Sequence, residues 1–178
     1  IISLFAPDKN GEYANLVKHY DKIDKYPTAN CGQVGPALGR FAHRIANAQF
    51  ELDGTIYNIT KNSGQHVLHG GNQGFDHIVW DVVNVKKNAL VLSCILPDGT
   101  DGFPGTLTTT LTYYITKDNG LSIVYEATTD KATVVNLSHH VYYNLNGDGQ
   151  GDIMEHQLYI NSDEITETDR NNIPTGKF

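Results

Sequence analysis

Two adjacent imidazoles, His139 and His140, sit in the stretch Asn136-Leu-Ser-His-His-Val-Tyr-Tyr-Asn-Leu-Asn-Gly147, at the end of an apolar run over residues 132–137 that reads as a β-strand. Histidine ordinarily titrates close to neutrality, so it suits general acid or base work at working pH. Successive side chains of an extended chain point to opposite faces, so the two rings cannot serve one cleft. One can face a site while the other is buried or solvated. A lone strand histidine reads first as a packed, hydrogen-bonded residue. A second histidine motif, Val67-Leu-His69-Gly-Gly71 followed by Gly74-Phe75 and Trp80, changes that balance. Its paired glycines let backbone approach another group closely, although Gly-Gly is also common in plain loops. A third segment, Gly39-Arg-Phe-Ala-His-Arg-Ile45, brings two arginines and His43 together among small residues. The forked donors of Arg44 suit sugar hydroxyls or a developing oxyanion. Taken alone, this segment reads first as a surface strand with solvated arginines.

Other chemistries fit less well. His66 and His69 lie three apart in a glycine-rich stretch with no helix to align them, and no metal is expected. Ser138 precedes His139 outside any Gly-x-Ser-x-Gly elbow, so a serine nucleophile is not expected. A net charge of −7 and a pI near 5.5 argue against a nucleic-acid partner, which needs a basic face. Mean hydropathy is −0.35 and no apolar run is long enough to span a bilayer, so no membrane partner is expected. Cys31 and Cys94 form no Cys-x-x-Cys pattern and read as buried thiols. The opening Ile1-Ile-Ser-Leu-Phe5 has no initiator methionine and no signal peptide. It reads as trimmed and leaves the compartment open, with the cytoplasm as the default.

The elements that must position these residues are strands. No segment sustains a helical period. Residues 2–6 and 13–18 read as strands joined by Asp8-Lys9-Asn10-Gly11, and residues 20–30 as a loop or short helix. The clearest hairpin runs from residues 49–52 through Asp53-Gly54 to 55–59, because Asp-Gly supplies the positive φ of a two-residue turn. Residues 62–76 read as a glycine-rich loop, 78–85 and 89–96 as a strand pair, and 97–105 as a second irregular loop. Residues 106–116 and 121–129 make a long hairpin, with Leu107, Thr109, Leu111, Tyr113 and Ile115 on one face. Strands at this spacing, joined by Gly, Asn and Asp turns, argue an all-β antiparallel sandwich in one domain over residues 1–178.

In order and spacing these motifs resemble the aldose 1-epimerases (galactose mutarotases) over nearly the whole chain. That family runs Gly-Arg-aromatic-Ala-Asn-Arg-Ile, a Phe-x-Leu-Asp-Gly hairpin, and Leu-His-Gly-Gly followed by Gly-Phe and Trp. It continues with Pro-Asp-Gly to aromatic-Pro-Gly, an Asn-x-Thr-x-His segment ending in aromatic-Asn-Leu, and Ile-Pro-Thr-Gly. Here these are residues 39–45, 50–54, 68–80, 96–105, 136–145 and 173–176. The resemblance implies a galactose mutarotase-like β-supersandwich, sugar anomers as substrate and no cofactor. It implies that Arg44 binds the sugar, that His69 lies beside the ring, and that His140 is the general acid on the ring oxygen with Tyr142 nearby. His139, where the family usually has Asn, reads as structural. His43 also stands at a family Asn, and could still donate to a hydroxyl or alter substrate preference.

The family's base glutamate and a substrate-binding aspartate follow Ile-Pro-Thr-Gly, and neither Glu164 nor Glu167 matches them. The chain therefore reads as incomplete at both ends relative to the family. It is expected to be completed by a C-terminal segment, and to turn over little by itself. Two other readings stand beside the mutarotase. One is a non-catalytic carbohydrate-binding β-sandwich module. The other is a hexose-phosphate epimerase relative, disfavoured because no cluster of its 13 Lys and Arg lies near the motifs.

Overall fold

The computed structural model describes residues 1–26 and 33–178 and is all-β, with helical geometry limited to single 3-10 turns among the described residues. Two compact units share the chain, residues 1–37 with 139–178 and residues 38–138. The chain passes between them within the two-residue strands β3 (Ala37–Leu38) and β12 (Ser138–His139). No helix among the described residues is long and apolar enough to cross a membrane.

In the first unit, β1 (Phe5–Pro7) and β2 (Tyr13–Asn15) form the expected hairpin, with Ala6 opposite Ala14. The Asp8 carboxylate accepts the Asn10 and Glu12 N–H groups, which fixes the turn and lowers its pKa from the usual carboxylate value. The strands are shorter than expected because the next residues pair elsewhere. Lys18 N–H donates to Tyr142 O and Asn144 N–H to Leu16 O, with Val17 bridging Tyr143. A 3-10 turn at Ile23–Lys25 occupies part of the expected 20–30 loop or helix; the remainder from residue 27, and Cys31, lie outside the described residues.

In the second unit, β4 (Arg44–Ile45) pairs with β7 (Val67–Leu68), and β5 (Gln49–Leu52) with β6 (Thr55–Asn58). Asp53 and Gly54 take φ of 51° and 75°, as a two-residue hairpin turn requires. The strands β8 (Asp81–Lys86), β9 (Ala89–Leu96), β10 (Leu107–Ile115) and β11 (Leu121–Thr129) form one antiparallel sheet in the order β11-β10-β9-β8. Its register sets Leu107 against Leu96, Thr109 against Cys94 and Leu111 against Leu92. Leu107, Thr109 and Leu111 are buried with Cys94 and Leu96, as the period-2 pattern requires. Each buried leucine contributes about 1.5–3 kcal/mol. Toward the far end of β10 the same face opens and Ile115 is exposed. A second cluster of Ile45, Ala48, Ile59, Val67 and Phe103 packs against Phe41, Phe50 and Val134.

Three expectations are corrected. The 62–76 stretch is not loop throughout: Ser63 and His66 exchange backbone bonds across a tight turn, which returns the chain as β7 to pair with β4. The strand expected from residue 78 begins at Asp81, because Trp80 is tied back to Phe75 by an Nε1–H bond to its carbonyl and an edge-on ring contact. The apolar run 132–137 is not a strand. Its backbone meets residues 40–42 through a single parallel bridge, Phe41 to Asn136, and the run is half-buried or exposed.

Candidate active site

Three segments far apart in sequence interlock in the second unit. His43 and His69 exchange bonds: His69 N–H donates to His43 O at 2.9 Å, and His43 N–H donates to His69 Nδ1 at 3.0 Å. A nitrogen that accepts carries no proton, so a neutral His69 ring with this bond holds its proton on Nε2. Both residues have positive φ, 69° and 53°. Asn and His are among the non-glycine residues enriched in that region. This gives a backbone reason why histidine can stand at position 43, where the resembling family has Asn. Arg44 is held opposite Leu68 by the β4–β7 register, one residue from His69. Among the described residues, neither the Arg44 guanidinium nor the His43 ring has a hydrogen-bond or ion-pair partner, and both are half-buried.

The glycines after His69 close this loop onto residues 39–40. Gly70 has φ 97°, and a Cβ there would lie 2.2 Å from Gly39 O. Any L side chain is therefore excluded twice, by backbone strain and by overlap. Phe75 N–H donates to the same carbonyl. Asn62 pins the turn from one side, with Nδ2 donating to Leu68 O and Gly71 O while Oδ1 accepts Leu68 N–H. Asp101 pins it from the other, its Oδ2 accepting Gln73 N–H at 2.7 Å. His66 is used structurally, its Nδ1 accepting Asn47 N–H.

Arg40, unlike Arg44, is not solvated at all. It is 1 % exposed, and Nη1 donates to Pro104 O at 2.7 Å, Gly105 O at 2.8 Å and Thr133 Oγ1 at 3.3 Å, while Nη2 reaches Leu96 O at 3.4 Å. It thereby fastens the 97–105 loop to residue 40. Asp98 completes the loop by accepting Gly105 N–H, and pairs with Lys131 at the surface. Sequence reasoning missed Arg40, Asn62 and Asp101. A usable signal was present: Pro-Asp-Gly-Thr-Asp-Gly-Phe-Pro-Gly leaves carbonyls with no strand partner, and such buried acceptors require a donor from elsewhere.

In the first unit, backbone bonds place His140. Its N–H donates to Pro36 O at 2.9 Å and its carbonyl accepts Gly35 N–H at 2.8 Å. His140 and Tyr142, two apart in an extended segment, have ring centroids 4.9 Å apart, and Lys18 Nζ lies 5.7 Å from the Tyr142 centroid. His139 differs. Burial drives its pKa down to about 4, so it is neutral at pH 7 and unsuited to shuttling protons there. A cavity of about 570 Å³ in this unit is lined by residues including Phe5, Asn15, His19, Tyr20, Tyr26 and Asp148, and by none of the predicted site residues.

The family description "aldose 1-epimerase" matches residues 1–178. An aldose 1-epimerase of Haemophilus influenzae is 42% identical over 154 residues, 86% of this chain and 45% of that protein. The galactose mutarotase of Sus scrofa is 36% identical over 179 residues, covering 100% of this chain and 51% of that protein. The crystal structure of a GalM/aldose epimerase homologue from C. elegans superposes with a TM-score of 0.91 at 35% identity, covering 99% of this chain and 54% of the other. The chain thus spans about half the length of the curated relatives it matches. With an all-β fold, a galactose mutarotase-like neighbour and a family match along its whole length, the chain belongs to the aldose 1-epimerase family.

Proposed function

We propose that this chain carries the acid and sugar-binding part of an enzyme that interconverts the α and β anomers of a hexose of the galactose or glucose type. Anomer exchange removes the C1 hydroxyl proton and protonates the ring oxygen as the C1–O5 bond breaks. The open aldehyde turns about C1–C2 and closes on its other face with the proton roles reversed. His140 is assigned as the acid on the ring oxygen, beside Tyr142. His69 and Arg44 are assigned as hydrogen-bond donors to sugar oxygens, with His43 as a further sugar-binding residue. A positioned imidazole of this kind contributes about 10²–10⁴-fold, and fixed donors stabilise charge on oxygen without reorganising.

The observation that carries this reading is the reciprocal His43–His69 bonding. It fixes the His69 tautomer with its proton on Nε2, one residue from the Leu68 that pairs with Arg44, whose guanidinium has no partner among the described residues. The base is not assigned to any of the 178 residues, so the chain alone is expected to accelerate exchange little. On this reading residues 1–178 belong to one domain and a further segment of the same polypeptide supplies the base.

Polarimetry of fresh α-anomer tests it, run on the natural gene product that carries this segment. Equilibration above the spontaneous rate should be lost in His140→Ala and weakened in His69→Ala and Arg44→Ala. Sugar binding with no acceleration would replace the enzyme by a carbohydrate-binding module.

A further inference from the structure

We propose that Asp101 is a positioning residue for His69, fixing through the 69–73 loop which imidazole nitrogen is presented to a ligand. Asp101 is only 6 % exposed and sits at φ 51° in a turn between β9 and β10, on none of the three histidine motifs. Its Oδ2 accepts Gln73 N–H at 2.7 Å, and a Cβ added to Gly71 would lie 2.7 Å from that carboxylate. The carboxylate therefore rests directly on Gly71, two residues from His69. Its backbone carbonyl accepts Thr60 N–H at 2.8 Å, anchoring Asp101 to the segment that supplies Asn62. Asn62 holds Leu68 and Gly71 from the opposite side. The turn carrying His69 is thus gripped between Asn62 and Asp101. Only with it gripped does His69 stay where His43 N–H can donate to Nδ1. Release of the Asp101 grip frees the ring to exchange tautomers and lose its fixed Nε2–H form. The role assigned to that donor in sugar binding rests on the function proposed above; the positioning itself does not.

The test uses the backbone geometry at position 101. Glycine adopts φ 51° without strain but offers no acceptor, whereas Asn tolerates the same φ and keeps an oxygen for Gln73. The tautomer of His69 is read by long-range 1H–15N NMR on the full 178-residue chain. Wild type should show Nδ1 as the bare acceptor nitrogen and Nε2 as the protonated one. Asp101→Gly should average the two, and Asp101→Asn should restore the wild-type pattern. Leu111→Val, which trims the sheet core away from the loop, should lower the melting temperature and leave the pattern unchanged. This separates positioning from general destabilisation. A folded Asp101→Gly with the wild-type His69 pattern overturns the proposal.

Wild-type amide exchange covers the case in which Asp101→Gly does not fold. The Gln73 and His69 amides should exchange together as one opening unit. A fast His69 amide beside a protected Gln73 overturns the proposal equally. Titration with D-galactose then reads the functional arm, where association should weaken about fivefold in Asp101→Gly, the equivalent of one hydrogen bond. If wild type binds no hexose, the sugar reading fails while the NMR and exchange arms still decide the role of Asp101.

Discussion

Replacing Arg40 should unfold far more than its sequence context suggests. Its guanidinium contacts four neutral oxygens, three of them backbone carbonyls at the start and end of the 97–105 loop, and its Cζ lies 5.7 Å from the Phe103 centroid. Hydrogen bonds from a charged donor contribute about 1.5–3 kcal/mol each, and a buried acceptor left unpaired costs about 1–3 kcal/mol. These do not add, and removing a buried cation returns part of the loss, because burial disfavours that charge. The net expectation for Arg40→Ala is about 3–5 kcal/mol, a large share of the ~5–15 kcal/mol stability of an ordinary domain. At about 2–4 °C per kcal/mol for a chain of this size, the melting temperature falls by about 6–20 °C.

Two further variants divide the causes. Arg40→Lys keeps the charge but not the planar fork that spans separate carbonyls, and should recover only part of the loss. Arg40→Met fills the space with no donor, and should fall between Lys and Ala. Circular dichroism melts and urea titrations at pH 7 read the series. If Arg40→Met equals or exceeds wild type, the carbonyls contribute nothing and the buried charge was a net cost, which sinks the argument. A loss below about 2 °C in Arg40→Ala does the same.

Gly70→Ala meets a carbonyl 2.2 Å from its new Cβ at φ 97°, and should cost about 2–4 kcal/mol, seen as a lower urea midpoint with an unchanged slope. Cys94 is buried and its thiol is pushed up to about 12, so at pH 8 a peptide map should find it unalkylated by iodoacetamide until denaturant is added. His139 is held near 4 against an ordinary 6.5, so between those values the unfolded chain binds more protons than the folded one. Stability from this residue is present above pH 6.5 and drains as pH falls toward 4. The full shift would correspond to about 3 kcal/mol, reduced to about 1–2 kcal/mol by solvent screening at a half-buried ring. His139→Gln should flatten that part of the melting temperature–pH curve; an unchanged slope would contradict the assignment.

The long hairpin of β10 and β11, the 49–58 hairpin and the buried Leu107-Thr109-Leu111 face were legible because local turn chemistry and period-2 burial act within a few residues. What was illegible depended on partners distant in the chain. Val67 and Leu68 look like loop until Arg44 and Ile45 supply the opposing strand. The run at 132–137 has strand composition but meets only one bridging partner. Arg40 and Arg44 are indistinguishable as letters, and burial separates them only once the 97–105 carbonyls arrive. The motifs singled out His69 and His140 as candidates. They could not show that Asn62 and Asp101 hold the His69 turn, because each lies outside the histidine motif it serves.

The hairpin connections of the four-stranded sheet contrast with the 97–105 loop. Residues 117–120 turn at the surface on local bonds, such as Thr116 with Gly120, whereas Asn88 in the 86–88 turn also bonds Ile115 of β10 through its carbonyl and its side-chain amide. The 117–120 turn is the permissive place to open the polypeptide, by a tag, a fluorophore loop or new termini, whereas a nick anywhere in 97–105 would cut the chain between strap and buckle. An engineer wishing to label the unit would graft at Asp118 and leave Asp98 to Gly105 continuous.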